Sequence, residues 1–178
     1  PKGEGAVRAD LIIEAIFENL EVKRSLFAEL EARARPDAVL ATNTSSLRLE
    51  DIATALKDPS RLVGIHFFNP VPMLPLVEVV QGAATDAEVL RRATGFVRRI
   101  DKLPLPVQSA PGFLVNAVLG TYMLEALRCV EGGVAPEPVD AAPVAFGRPV
   151  GPGERVAKGG LDIAVAAEEG LAGEGAAP

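Results

Sequence analysis

The sequence has few of the residues that bind metals or form disulfides. Its 178 residues include one histidine, one cysteine and no tryptophan. Cys129 has no second cysteine as a partner, so an internal disulfide is excluded. A single histidine with a single cysteine cannot supply a zinc-type ligand cluster. We therefore expect no resident metal ion.

Long apolar runs and excess positive charge are also missing. No stretch of about twenty uncharged apolar residues occurs, and the first residues, PKGEGAVRADLII, lack the order of a secretory signal. We therefore expect an intracellular, cytoplasmic protein with no membrane span.

The formal net charge of −6 repels a phosphate backbone. We expect no nucleic-acid partner.

What the chain does contain is an alternation of apolar runs and amphipathic segments. Strands are predicted at 9–17, 38–43, 61–68, 75–80 and 103–107, and helices at 19–36, 47–56 and 86–100. This order is typical of a parallel sheet covered by helices. The run at 9–17 is expected to be buried on both faces. From Phe113 to Val130 the pattern is helical with no strand partner, which places a domain boundary near residue 109.

Polar clusters directly follow three of the predicted strands: Glu18 with Asn19, Thr42 to Ser46, and His66. In a parallel sheet these positions share the carboxyl edge, where open α/β sheets bind ligands. Each cluster also has a structural interpretation. The segment at 42–46 can cap the next helix, Glu18 can be a first-turn acid, and a lone histidine is often a packed structural residue.

Glu78 lies in the apolar segment PLVEVV, on the opposite face from Val77 and Val79, where a buried carboxylate needs a partner. Three prolines return the chain between His66 and Glu78, so the two side chains can meet. The carboxylate would then fix the imidazole tautomer and leave the second ring nitrogen to act as a base. The alternative is an ion pair between Glu78 and Arg61.

No GxGxxG loop follows any predicted strand.

Four segments in this order, ADLIIEAIFENLEVK, ATNTSSL, GIHFFNPVPMLPLVEVV and APGFLVN, resemble the NAD-dependent 3-hydroxyacyl-CoA dehydrogenases of fatty-acid β-oxidation. The later stretch VDAAPVAFGRPVGP is similar to the multifunctional α-subunits of that family. The resemblance implies oxidation of a 3-hydroxyacyl-CoA to the 3-oxoacyl-CoA, with NAD as cofactor and hydride acceptor. It also implies a homodimer or a thiolase-containing complex.

The fold that the resemblance implies is α/β. Residues 1–108 would form the C-terminal part of a Rossmann-type NAD-binding domain, with a mainly parallel sheet and with the glycine-rich first half missing. Residues 109–178 would form an all-α second domain that is truncated or degenerate. Pro143 falls inside one of its helices and is expected to interrupt it. Without the glycine-rich loop, the chain alone is expected to bind NAD weakly.

The resemblance also implies roles for individual residues. His66 would be the general base, with Glu78 orienting it. Ser45 and Asn116 would bind the substrate oxygen. The residues implied around the nicotinamide and its ribose are Ile16, Phe17, Glu18, Lys23, Ser45 and Asn69. Since Asn116 falls in the second domain, the expected site is an interdomain cleft. The competing hypothesis is a non-catalytic or degenerate relative that uses the fold for binding or structure.

Overall fold

A computed structural model describes residues 4–156 of the chain. The last part of the predicted second domain, residues 157–178, lies outside the described range. The chain divides into two compact units, residues 1–113 and residues 114–178.

The first unit is built on a five-stranded sheet. The strands are β1 (Leu11–Glu14), β2 (Val39–Thr42), β3 (Leu62–Phe67), β4 (Leu76–Gln81) and β5 (Leu103–Gln108), and they lie side by side in chain order. β1 with β2, β2 with β3 and β4 with β5 are parallel pairs, whereas β3 and β4 are antiparallel. The predicted α/β fold with a mainly parallel sheet is therefore confirmed.

Three α-helices accompany the sheet: α1 (Leu20–Arg33), α2 (Leu49–Ala53) and α3 (Ala87–Arg99). Short 3-10 turns cover Glu4–Arg8 and Pro59–Arg61. Asn19 caps α1 as predicted, because its Oδ1 accepts a hydrogen bond from the amide of Val22 at 3.0 Å. Asp86 caps α3 in the same way. Such caps satisfy amides that have no partner inside the helix.

The sheet has an apolar core on each face, as strands with alternating side chains require. One core joins β2, β3 and β4 to α3, and its buried members are Val39, Ala41, Val63, Ile65, Val77, Val79, Val89, Ala93 and Val97. The other joins the sheet to α1, α2 and the end of the unit, and its buried members are Phe27, Leu40, Leu49, Ile52, Leu56, Leu62, Val80 and Phe113. The sheet is thus held between two layers.

β1 is shorter and less buried than the sequence predicted. The regular strand stops at Glu14, because the carboxylate of Glu14 accepts a hydrogen bond from the amide of Ile16 at 2.6 Å and so satisfies it locally. β1 is also the end strand among those described. Its three apolar residues are consequently half-buried. The expectation of a strand over 9–17 that is buried on both faces was wrong.

The helix predicted over 47–56 is also shorter, and only Leu49–Ala53 is α-helical. Beyond it, the amides of Ala55 and Leu56 donate to carbonyl groups three residues back. This bonding is the tighter 3-10 type, which commonly ends an α-helix.

The second unit contains the helices α4 (Val115–Glu131), α5 (Pro136–Ala145) and α6 (Pro152–Arg155). Its described part has helices and no strands. The expectation that Pro143 interrupts a helix was wrong, because α5 continues to Ala145. Pro143 lies in the last turn of α5, so its missing N–H removes only one hydrogen bond near the helix end. Gly147, with φ 104°, follows this end in the left-handed conformation that commonly terminates a helix.

Within the described residues, no helix has the length and apolar character needed to cross a membrane.

Candidate active site

His66 and Glu78 form the central contact of the candidate site. They are paired opposite each other on β3 and β4, and Nδ1 of His66 lies 2.8 Å from Oε2 of Glu78. Both side chains are buried, with 7% and 0% of their surface exposed. Arg61, the alternative partner, donates instead to the carbonyl groups of Ala38 and Arg35. The structure therefore brings together the pair that the sequence pattern predicted.

Two aromatic rings flank the His66 imidazole. The ring centroid of Phe68 lies 4.6 Å away and that of Phe113 lies 5.8 Å away. Phe113 reaches this position from a turn in which both Gly112 and Phe113 have positive φ values of 68° and 52°, a conformation that glycine adopts easily and phenylalanine rarely. With Nδ1 bonded to Glu78, Nε2 is the nitrogen through which His66 can exchange a proton with a ligand.

Glu18 joins the loop after β1 to the loop after β2. Its Oε1 accepts hydrogen bonds from the amides of Ser45 at 2.9 Å and Ser46 at 3.1 Å, and from the hydroxyl groups of Thr44 and Ser46. Partial burial would raise the pKa of Glu18, but these donors and the charge of Lys23 outweigh burial and hold the pKa below its ordinary value. The Glu18 carboxylate therefore stays ionised and fixes the main chain at Ser45.

These contacts contradict two structural interpretations of the sequence. Glu18 precedes Asn19, the cap of α1, and is therefore not a first-turn acid of that helix. The 42–46 segment does not cap α2, whose first amide, on Leu49, donates to Oγ of Ser109 at 3.1 Å. Thr44 accepts instead from the amide of Leu47, inside the same loop.

A buried ion pair beside Glu18 was not predicted. Nζ of Lys23 lies 2.7 Å from Oε1 of Glu14 and 3.4 Å from Oε2 of Glu18. The side chains of Lys23 and Glu14 are 1% and 0% exposed, and Oε2 of Glu14 accepts a hydrogen bond from the hydroxyl group of Thr42 at 2.8 Å. The apolar strand shows that Glu14 needs a partner if it is buried, but it does not show that the partner is Lys23.

The other predicted cofactor residues lie in loops at the ends of β1 and β3. Ile16 and Phe17 follow β1 and are 39% and 83% exposed. Asn69 follows β3, is exposed, and precedes a cis peptide bond to Pro70. Asn116 lies in α4, within the second unit, so its place in the site stays a prediction.

Asn43 belongs to the predicted polar cluster Thr42 to Ser46, but no role of its own was predicted for it. Its side-chain Oδ1 accepts a hydrogen bond from the backbone amide of Phe67 at 2.9 Å. Its backbone amide donates to the carbonyl group of Glu14. It therefore ties the end of β3, next to His66, to the ends of β1 and β2. In residues 4–156 we find no group of three or more His, Cys, Asp and Glu side chains arranged to hold a metal ion.

Comparison with protein-family models gives a match over nearly the whole chain. Residues 2–110 match the model described as "3-hydroxyacyl-CoA dehydrogenase, NAD binding domain". Residues 112–178 match the model described as "3-hydroxyacyl-CoA dehydrogenase, C-terminal domain".

Curated relatives carry related names. The chain is 47% identical, over 156 residues, to a probable 3-hydroxyacyl-CoA dehydrogenase of Caenorhabditis elegans, covering 86% of this chain and 50% of the relative. It is 42% identical, over 159 residues, to the fatty acid oxidation complex subunit alpha of Vibrio cholerae, covering 89% of this chain and 22% of the relative. The chain thus spans half or less of the length of these relatives.

Solved structures show the same similarity. FadB2 of M. tuberculosis superposes with a TM-score of 0.88 at 41% identity, covering 97% of this chain and 62% of that one. The 3-hydroxybutyryl-CoA dehydrogenase of Escherichia coli superposes with a TM-score of 0.80 at 47% identity, covering 83% of this chain and 32% of that one.

Proposed function

The chain belongs to the 3-hydroxyacyl-CoA dehydrogenase family, and from that premise we propose that it oxidises a 3-hydroxyacyl-CoA to the 3-oxoacyl-CoA with NAD as hydride acceptor. The observation that carries the proposal is the hydrogen bond between His66 and Glu78 near the end of β3. A buried imidazole held by a carboxylate suits proton transfer from an alcohol. Because the chain spans half or less of its curated relatives, the activity is proposed for the complete natural protein.

The residues at the carboxyl edge fit the nicotinamide half of NAD. When bound, NAD supplies the carbon that accepts the hydride from C3 of the substrate. Ile16 and Phe17 offer exposed apolar surface after β1, which suits a flat ring, and Glu18 offers a carboxylate to hydroxyl or amide groups. Ser45 and Asn69 come from the neighbouring loops. Lys23 is linked to this proposed nicotinamide site through its ion pair with Glu18.

His66 is the proposed general base. Glu78 accepts a hydrogen bond from Nδ1, which keeps the proton on that nitrogen and leaves the Nε2 lone pair for the substrate 3-hydroxyl proton. As that proton moves to Nε2, the C3–O bond becomes a carbonyl and the hydride leaves C3. The imidazolium that forms is stabilised by the Glu78 carboxylate.

Ser45 and Asn116 are the proposed partners of the substrate oxygen. Donors placed in advance where charge develops lower the barrier without reorganising during the reaction. The Glu18 carboxylate holds the backbone amides of Ser45 and Ser46, and this fixed main chain supports the role of Ser45. Asn116 is proposed from its place in the motif GFLVN. The division into a domain of residues 1–108 and a helical domain of residues 109–178 stays a prediction.

A homodimer or a thiolase-containing complex is the proposed assembly. The name of the Vibrio cholerae relative, a fatty acid oxidation complex subunit, supports assembly into a complex.

A steady-state assay tests the proposed function. The complete natural protein should consume NADH when acetoacetyl-CoA is added, in proportion to enzyme concentration, and free acetoacetate should give a much slower reaction. Absence of NADH consumption with acetoacetyl-CoA would contradict the proposal and favour the competing hypothesis of a non-catalytic relative.

A further inference from the structure

We infer that Glu14 is a positioning residue for the cofactor side of the site, acting through Lys23, Ile16 and Thr42. The inference rests on the proposed function. Glu14 itself is fully buried, so a ligand at the carboxyl edge does not touch it. Its effect on the cofactor must pass through the groups that its carboxylate holds.

Both oxygens of the Glu14 carboxylate are used. Oε1 lies 2.7 Å from Nζ of Lys23 and accepts a hydrogen bond from the amide of Ile16 at 2.6 Å. Oε2 accepts a hydrogen bond from the hydroxyl group of Thr42 at 2.8 Å. One side chain therefore sets the start of the loop after β1, the lysine on α1 and the end of β2.

Two routes of hydrogen bonds and ion pairs lead from Glu14 to the 44–46 loop. The first passes through Thr42, whose hydroxyl oxygen accepts from the amide of Thr44 at 3.3 Å. The second passes through Lys23, which also lies 3.4 Å from Oε2 of Glu18, and Glu18 binds the amide of Ser45 at 2.9 Å. The proposed cofactor residues Ile16, Lys23, Glu18 and Ser45 are thus linked through Glu14.

The charges show why a carboxylate is needed at this position. Glu14 is the nearer of the two carboxylates that share the buried ammonium of Lys23, and Glu18 is also held by the donors of the 44–46 loop. If residue 14 loses its charge, the buried ammonium of Lys23 keeps Glu18 as its anionic partner. The Glu18 carboxylate is then drawn toward Lys23 and away from Ser45 and Ser46, because an uncompensated buried charge is costly.

A purely structural role predicts a different result. Loss of stability alone lowers the fraction of folded protein, so the apparent kcat falls while the KM for NADH stays constant. A positioning role changes the affinity for the cofactor in protein that is folded. It leaves the His66 and Glu78 pair in place, because that pair is held by the ladder between β3 and β4.

The test compares Glu14→Gln with Glu50→Gln in the complete natural protein. Glu50 is a matched control because its carboxylate also accepts from one hydroxyl group, that of Ser109 at 2.7 Å, and one amide, that of Ala83 at 3.0 Å. The KM for NADH is measured with saturating acetoacetyl-CoA, and the Kd for NADH is measured by fluorescence titration. Glu14→Gln should raise both at least tenfold and change kcat less than threefold, and Glu50→Gln should leave both within twofold.

Thr42→Val is the second variant, because it removes the hydroxyl group that donates to Oε2 of Glu14 and accepts from the amide of Thr44. It should raise the Kd for NADH about threefold, and it decides the question if Glu14→Gln does not fold. The inference is overturned if the variant measured keeps the wild-type Kd and KM, or if Glu50→Gln matches the loss of Glu14→Gln. A wild-type protein that binds NADH without reducing acetoacetyl-CoA contradicts the proposed reaction, while the Kd comparison still tests Glu14. A wild-type protein that does not bind NADH contradicts both.

Discussion

His66 and Glu78 face each other across the antiparallel pair of β3 and β4, with Nδ1 and Oε2 2.8 Å apart. Their meeting is a consequence of strand register. A shift of β4 by one residue would place Val77 or Val79 opposite the imidazole and turn Glu78 toward the other face. The return through the proline-rich loop at 70–75 therefore determines the chemistry that His66 can perform.

Removal of the Glu78 carboxylate should affect stability and turnover separately. Glu78→Ala leaves a buried imidazole nitrogen without its partner and should lower the free energy of unfolding by about 1–3 kcal/mol. Glu78→Gln keeps a polar group in place and should cost less stability, but it should lower kcat at least tenfold because the imidazolium loses its counter-charge. Urea unfolding and the acetoacetyl-CoA assay measure the two effects. Equal turnover in wild type and Glu78→Gln would contradict the orienting role.

Glu18→Gln should remove an acid-dependent part of the stability. The pKa of Glu18 in the folded protein lies below its ordinary value of 4.5, so the unfolded chain takes up the proton first as the pH falls. The contribution of the Glu18 carboxylate to stability is complete above about pH 4.5. It is lost as the pH falls through the lower pKa that Glu18 has in the folded protein. Glu18→Gln should therefore cost about 1–2 kcal/mol at neutral pH, somewhat less than buried hydrogen bonds to a charged group contribute, because the side chain is 34% exposed to solvent. The cost should be smaller at a pH below the ordinary pKa.

Chemical unfolding at a series of pH values measures this difference. Glu21→Gln is the matched control, since Glu21 lies on the exposed surface of α1 and pairs with Arg24. The control should show less than about 1 kcal/mol at every pH. If the loss of unfolding free energy in Glu18→Gln is the same at neutral and acid pH, the ionised Glu18 carboxylate does not stabilise the 44–46 loop.

Gly64→Ala should destabilise the sheet next to His66. A Cβ atom at residue 64 would lie 2.7 Å from Cβ of Val80 on the neighbouring strand. Forcing this contact should cost about 1–3 kcal/mol of unfolding free energy. Gly95→Ala in α3 is the control, because nothing lies within 4 Å of its added Cβ, and it should stabilise the helix by about 0.5–1 kcal/mol. Thermal or urea unfolding that ranked the two variants in the reverse order would contradict the close packing of residue 64 against Val80.

Lys102 should hold the proline-rich return in place. Its Nζ donates to the carbonyl groups of Val71 at 2.6 Å and Leu74 at 2.9 Å. In Lys102→Met, the amides of Met73 and Leu74, which donate to the carbonyl group of Pro70, should exchange hydrogen roughly tenfold faster, as expected when a loop opens more often. Lys57→Met, at another exposed lysine, should leave their exchange unchanged. Equal exchange in both variants would show that the loop does not need Lys102.

Local patterns in the sequence were enough to predict most of the fold and the central pair. Alternation in PLVEVV placed Glu78 on the strand face opposite Val77 and Val79, and Asn19 marked the start of α1. Contacts that depend on distant parts of the chain were not predictable in this way. Ser109 binds the first amide of α2 from sixty residues away. The pairing of Glu14 with Lys23 requires the start of α1 to pack against the end of β1, which no local pattern specifies.

The most direct test of the central claim is the turnover of His66→Gln in the complete natural protein. The variant removes the proposed base and keeps a polar side chain opposite Glu78. General-base catalysis contributes about 10²–10⁴-fold, so kcat for acetoacetyl-CoA reduction should fall by at least a hundredfold, while the Kd for NADH stays within about threefold of the wild-type value. A His66→Gln enzyme that keeps its kcat within a few-fold of wild type would contradict the assignment of His66 as the base.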